Sequence, residues 1–332
     1  MPAVRPAVSS ALRQLPLVTL YVTERCNSRC VSCDYWRHGR TDISVAAVTR
    51  LLPELRRMGT RVVVLSGGEP LIHPEWASMA ALLRASDVKV WLLTSGLSLA
   101  KHAPQAASLF EDITVSMDGT DAPSYEAIRG LDAFDKVCQG IRAVSSRGNA
   151  PTLRVTLQRS NFRELRGFVE LARNLGARRV SFLAVDVASS HAFGRSADFS
   201  QALSLLPEDL PVFARLLDSL ERDYAQEFSS GFIAESPRKL RRLLDYFTAV
   251  QGLGDYPAVR CNAPEFSAVI AADGRVQPCF FISGPPNAAP LGTIDAALNS
   301  PDMTRLRSDI RAGNRVECKT CVCSKWREPA PV

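Results

Sequence analysis

Within its first 185 residues the chain repeats one pattern: a short apolar run rich in β-branched residues, then a segment with helical periodicity. The apolar runs lie at 17–22, 61–65, 88–93, 113–116, 153–157 and 179–183, with helical segments between them at 45–58, 75–84, 99–109, 134–146 and 162–175. Strands that alternate with helices connect as right-handed βαβ units, which places the strands in one parallel sheet. Ser44 suits the N-cap of the first long helix and Gly59 its stop. The pattern therefore predicts an α/β fold, an open, partial (β/α)6 barrel. Chemistry is expected at the C-terminal ends of its strands, as in the closed eight-stranded barrel.

Composition narrows the function classes. The 332 residues supply one large α/β domain and an appendage, and no run of about 18 apolar residues suggests a membrane span. The opening residues, MPAVRPAVSSALRQLP, lack the continuous apolar stretch of a secretion signal. A cytoplasmic setting is expected, in which the nine cysteines serve mostly as thiolate ligands rather than disulfides. Net charge is +6, yet only 7% of residues are aromatic, so a nucleic-acid partner is not expected.

Cys26, Cys30 and Cys33, spaced C-x3-C-x2-C, follow the first strand directly. Short loops of thiolates hold cubic [4Fe–4S] clusters. The next cysteine is Cys138, so a cluster held here would keep one iron open, the mark of a catalytic rather than a structural metal. A zinc knuckle or a disulfide pair would use the same residue type. After the second strand comes Ser66-Gly67-Gly68-Glu69-Pro70, in which two glycines let the backbone approach a ligand and Glu69 offers an anionic acceptor to an ammonium group. Thr94-Ser95-Gly96 follows the third strand, and Ser116-Met117-Asp118-Gly119 ends the fourth.

In this order the motifs resemble the radical S-adenosylmethionine (SAM) superfamily. The resemblance implies that Cys26, Cys30 and Cys33 hold a [4Fe–4S] cluster whose open iron is chelated by SAM, with the cluster's electron cleaving the sulfonium to a 5′-deoxyadenosyl radical. It further implies that Gly67, Gly68, Glu69 and Pro70 hold the methionyl amine, that Ser116 and Asp118 surround the ribose and methionine moieties, and that Arg129 pairs with the SAM carboxylate. Two positions depart from the pattern. Ser32 stands where relatives place an aromatic residue against the adenine, which leaves Tyr35 or Trp36 for that role, and Ser95 replaces an asparagine common after strand three.

Five cysteines lie beyond residue 260. Asp273-Gly274 between two strand-like runs is a hairpin signal, and it would set Cys261 and Cys279 on opposite flanks of one hairpin. Cys318, Cys321 and Cys323 close the chain's cysteine pattern. This arrangement resembles the SPASM/twitch extension that carries auxiliary [4Fe–4S] clusters. The resemblance implies one auxiliary cluster on Cys261, Cys279, Cys318 and Cys321, with Cys323 spare or replacing one of the last pair, and hence two clusters per chain. Four cysteines at such spacing also permit a zinc ribbon. The expected organisation is an N-terminal extension (1–15), a radical SAM core (16–185), a helical segment lining the substrate cavity (186–258) and an auxiliary domain (259–332). The third of these opens with a polar loop, 188–200.

Three features are set aside. Cys138 falls in the apolar periodicity of a helix and reads as a buried small hydrophobe, His73 reads as a loop or capping residue, and Arg238-Lys239-Leu240-Arg241-Arg242 reads as a solvated helix face or, alternatively, an anion patch.

The leading expectation is an enzyme that abstracts a hydrogen atom from an unactivated C–H of a small metabolite, with oxidation through the auxiliary cluster and electrons from a flavodoxin or ferredoxin. A peptide-modifying maturase, crosslinking or epimerising with a separate partner, is the alternative; about 16 residues precede the first strand, where many relatives carry a leader-binding domain. A non-catalytic metal-binding interaction protein is the third reading, and the Gly-Gly-Glu-Pro segment counts against it.

Overall fold

The computed structural model describes residues 11–189, 192–194, 201–284 and 293–328. Six parallel strands run in chain order: β1 (Leu17–Thr23), β2 (Val62–Gly67), β3 (Lys89–Thr94), β4 (Asp112–Ser116), β5 (Thr152–Leu157) and β6 (Arg179–Ala184). All six were expected, within a residue or two. The order β6-β5-β4-β3-β2-β1 leaves β6 unpaired with β1, so the barrel is open.

Alternation along each strand separates two faces. Val63, Leu65, Val90, Leu92, Ile113, Val115, Leu153, Val155, Val180 and Phe182 are buried in the main core, against the helices. Their intervening neighbours face the inside of the barrel. Each fully buried aliphatic or aromatic side chain is worth about 1.5–3 kcal/mol, so this layer dominates the fold's stability.

Helices Val45–Arg57, Trp76–Arg84, Leu99–Leu109, Phe134–Ser145 and Leu165–Asn174 lie where the periodicity predicts, the last preceded by a 3-10 turn, Phe162–Glu164. Ser44 caps the first by accepting from the Ala47 amide at 3.1 Å, and Gly59 follows it with φ +64°. Sequence reading missed the helix Ala122–Arg129, whose capping box at Asp121 and Ser124 lies in a polar stretch with little apolar periodicity.

The stretch after β6 divides in two. Helices Leu210–Asp223 and Pro237–Val250 pack into the main core through Phe213, which meets Phe162 at 5.9 Å and Phe247 at 6.2 Å. They complete the outer helical layer, while Asp186 and Ala188 at the start of the stretch line a cleft. The basic face of the second helix is engaged: Arg241 pairs with Asp218 and Glu221, and Arg242 donates to the carbonyls of Ala258 and Pro257. Of the polar loop at 188–200, residues 190–191 and 195–200 lie outside the described residues.

The C-terminal hairpin joins the main sheet, which the sequence did not foretell. β7 (Ser267–Ile270) pairs parallel with β1, Leu17 opposite Ser267, and β8 (Val276–Gln277) returns antiparallel to it. The expected Asp273-Gly274 turn connects them, Gly274 taking φ +88°. Both cysteine-rich regions therefore flank β1. No helix among the described residues is long and apolar enough to cross a membrane.

Candidate active site and metal centres

The loop that carries Cys26, Cys30 and Cys33 leaves β1 and is stitched to the helix that sequence reading missed. The Arg29 amide donates to the Arg129 carbonyl and the Val31 amide to the Ile128 carbonyl, each at 3.0 Å. Gly130 ends that helix at φ +72°, and a Cβ there would stand 2.5 Å from the Arg29 carbonyl oxygen. Glycine is thus required on two counts, conformation and space.

All three thiols are free and half-buried. Burial pushes Cys26 up to about 11 and Cys33 up to about 12; charge on the neighbouring cysteines adds to this and the Arg129 guanidinium opposes it. The three side chains thus gather beside one buried cation. Phe193, held at φ +61°, offers its carbonyl to the Asp34 amide at 3.0 Å and to the Cys33 thiol at 3.4 Å. Its ring meets Phe281 at 6.3 Å, so this turn links the cysteine loop to the C-terminal loop.

Gly67 and Gly68 have a cause that the sequence did not reveal. A Cβ on either would lie 2.2 Å from the Thr23 carbonyl oxygen or 2.0 Å from that of Arg25, because the two loops pack backbone to backbone. The amides of Gly68 and Glu69 donate to those same carbonyls at 2.7 and 2.9 Å. Glu69 is fully buried. It accepts from the Leu71 amide (3.1 Å), the Thr94 hydroxyl (2.7 Å) and the Ser95 amide (2.6 Å). Every donor is neutral, and no cation among the described residues pairs with it. Ser95 contributes its backbone amide to Glu69, and its hydroxyl reaches Asn27 at 3.3 Å. Pro70 starts the following 3-10 turn.

Asp118 and Arg129 form a buried ion pair at 2.9 Å. Asp118 also accepts from the Thr156 amide, and its carbonyl accepts from Asn161, a fully buried residue that sequence reading missed. The Arg129 Nε has no hydrogen-bond partner among the described residues. Ser116 sits half-buried at the end of β4. Tyr35 packs edge-on against Tyr21 at 5.9 Å and lies with Val269 of β7 and Ala271 just past its end. Trp36 is stacked under Arg37 at 4.1 Å, and its indole nitrogen has no partner among the described residues. His73 is structural, its ring bonded to the Ile43 carbonyl and the Glu75 amide, and Cys138 is buried in the core.

The five C-terminal cysteines are gathered by long-range pairing. Asn262 donates through its amide to the Lys325 carbonyl at 3.0 Å and through Nδ2 to the Arg327 carbonyl at 2.7 Å, zipping the tail after Cys323 to the segment after Cys261. Burial raises the Cys279 thiol to about 12 and pushes Cys318, Cys321 and Cys323 upward. Mutual effects map their neighbours. Cys279 and Cys318 each feel Cys261, Cys321 feels Cys323, Cys279 and Cys318, and Cys323 feels Cys261 together with Lys325, Arg242 and Lys239. Among the described residues no three His, Cys, Asp or Glu side chains are grouped to hold a single metal ion. A cubic cluster instead takes its thiolates at separate corners. A cleft of about 80 Å3 lined by Asp186, Phe281, Glu317 and Cys321 separates β6's end from this loop.

Residues 20–180 match the Radical SAM superfamily. The mycofactocin maturase MftC of Mycobacterium tuberculosis is 28% identical over 165 residues, 48% of this chain and 42% of that protein. The PqqA peptide cyclase of Methylorubrum populi is 29% identical over 197 residues, 58% of this chain and 50% of that protein. The chain thus spans half or less of the length of these relatives. In fold it is similar to SuiB of Streptococcus suis bound to S-adenosylmethionine, with a TM-score of 0.67, 14% identity, and 95% of this chain and 74% of that chain covered. The same SuiB fold has also been seen with its precursor peptide SuiA. The family match covers the strands and loops that carry Cys26, Cys30, Cys33 and Glu69, and on that ground residues 20–180 form a domain of the radical SAM superfamily, whose members use [4Fe–4S] clusters and SAM.

Proposed function

We propose that this chain reductively cleaves SAM and uses the resulting radical to abstract a hydrogen atom from a C–H bond of a peptide substrate. The observation that carries the reading is Glu69: a fully buried carboxylate with three neutral donors and no cationic partner among the described residues, one loop away from three thiols. Such a group is costly unless a cation completes it, and an ammonium group fits. When bound, the cluster and SAM supply a one-electron cleavage of the sulfonium and a carbon-centred radical.

Cys26, Cys30 and Cys33 hold the cluster. Glu69 accepts the SAM ammonium, the unpartnered Nε of Arg129 turns to the SAM carboxylate, and Ser116 and Asp118 border the ribose and methionine moieties. Tyr35 or Trp36 packs the adenine. Cys261, Cys279, Cys318 and Cys321 hold a second cluster suited to taking an electron from the substrate, and a flavodoxin or ferredoxin supplies reducing equivalents. The peptide is favoured over the small metabolite expected above because the PqqA peptide cyclase is among the relatives and SuiB binds a precursor peptide on a similar fold.

Anaerobic reconstitution with iron, sulfide, SAM and a reductant tests the first half. Release of 5′-deoxyadenosine is expected, and its loss in the Cys26→Ala, Cys30→Ala, Cys33→Ala triple variant; zinc uptake without iron would overturn the reading. Deuterium transfer into 5′-deoxyadenosine from labelled peptides, but not from labelled small metabolites, tests the second half.

A further inference from the structure

On β5, Leu153, Val155 and Leu157 are sealed in the hydrophobic core, so Arg154 points to the opposite face, the inside of the barrel. Register sets its neighbours there. Arg154 is paired with Ser116 of β4 on one side and Ser181 of β6 on the other. With adjacent strands about 4.8 Å apart, it stands directly beside the strand end assigned above to SAM.

A guanidinium carries five N–H donors in a planar fork. The Arg154 guanidinium makes no hydrogen bond and no ion pair with the described residues, and its Nε is shut off from solvent. The carboxylates nearest to it are committed elsewhere: Glu235 accepts from the Ser181 hydroxyl and the Phe182 amide, each at 2.7 Å, and Asp112 pairs with Arg178. The other buried arginines differ. Arg129 has Asp118, and Arg307 donates to the Leu298 carbonyl.

A second cation stands near. Lys325, exposed on the C-terminal tail, has its Nζ 5.5 Å from the centre of the Phe266 ring, and no carboxylate among the described residues pairs with it. It is close enough to feel the charge of Arg154. A half-buried guanidinium that makes no ion pair among the described residues is the condition an arriving anion relieves.

We propose that Arg154, flanked by Ser116 and Ser181 and backed by Lys325, anchors an oxyanion of the substrate, a carboxylate or a phosphate, on the inner face of the barrel. Its place in the reaction rests on the SAM-cleaving reading above; anion binding itself does not. Arginine suits either group, because its fork meets two oxygens at once.

The test titrates the cluster-loaded full chain with succinate and, separately, with inorganic phosphate by calorimetry at low ionic strength. One of the two should bind, which tells the carboxylate from the phosphate. Arg154→Gln should weaken that binding roughly tenfold or more, as loss of a charged hydrogen-bonding group implies, and Arg154→Lys should weaken it less. SAM affinity, measured the same way, should be unchanged, and melting curves should show both variants folded. Equal anion affinity in wild type and Arg154→Gln, or no binding of either anion to the wild type, would overturn the proposal. So would a fall in SAM affinity without a change in anion binding, which would give the arginine to the SAM carboxylate. A shift in the auxiliary cluster's midpoint potential with anion binding intact would also overturn it, by giving the arginine to that cluster. If the wild type releases no 5′-deoxyadenosine yet binds the anion, the proposed function fails and the anion site stands.

Discussion

The Arg29 amide donates to the Arg129 carbonyl at 3.0 Å, so the loop bearing the first three cysteines and the helix bearing the buried arginine are held as one body. Gly130 makes that contact possible, since any Cβ would press on the Arg29 carbonyl. Gly130→Ala should therefore cost about 1–2 kcal/mol for the left-handed backbone alone, and more for the clash. Urea denaturation should show the lower midpoint, and iron bound by the first site should fall. An unchanged midpoint would mean that the loop moves independently of the helix.

Glu69→Gln keeps the shape of a fully buried side chain and removes its charge. Hydrogen bonds to charged groups are worth about 1.5–3 kcal/mol, so SAM affinity should drop roughly tenfold or more while iron content stays at wild-type level. SAM binding that survives this change would take the ammonium away from Glu69. Iron loss would instead show that the three donors at Leu71, Thr94 and Ser95 hold the loop through the carboxylate.

The auxiliary ligands can be ranked by adjacency. Cys321 feels the charge of Cys279 and Cys318 as well as that of Cys323, whereas Cys323 feels that of Cys261 and three cations. A cluster needs one thiolate per iron about a common centre. Cys321→Ala should lower reconstituted iron from about eight per chain to about four, and Cys323→Ala should leave both clusters in place. The reverse result would place the terminal loop in a different metal-binding register.

Burial holds Cys26 near 11 and Cys33 near 12 in the metal-free protein. These folded values lie above the ordinary thiol value of about 8.5, so the protonated form favours the fold. That stabilisation is complete below about pH 8.5 and is lost as pH rises toward 11–12. The melting temperature of the metal-free protein should fall over this window, and that of the loaded protein should fall less, because iron holds the sulfurs as thiolates throughout. Iron uptake should release protons and quicken from pH 7 to 9. Uptake that slows over that range would contradict the assignment of these thiols as ligands.

Much of the barrel was legible because burial on one face of a strand and one face of a helix writes a local period. Val63 and Leu65, or Val90 and Leu92, announce their strands within a few residues. The helix Ala122–Arg129 escaped because its polar cap and short length leave little period to read, although Asp121 and Ser124 at N-cap and N3 were a usable signal. The reason for Gly67 and Gly68 escaped too, since it lies in the carbonyls of residues 23 and 25 on another loop.

By itself the sequence determined the order of strands and helices, the thiol sets and the acid beside them, since spacing and residue type dictate which ligands a loop can offer. Only the tertiary structure decided which of these meet. Pairing of β7 with β1 brings the two cysteine regions to either side of one strand across some 250 residues of chain. The packing of Glu69 on Ser95, and of Arg154 between Ser116 and Ser181, follows from strand register. Register is a long-range quantity: it is set by how whole faces bury against one another, and no local run of residues encodes it.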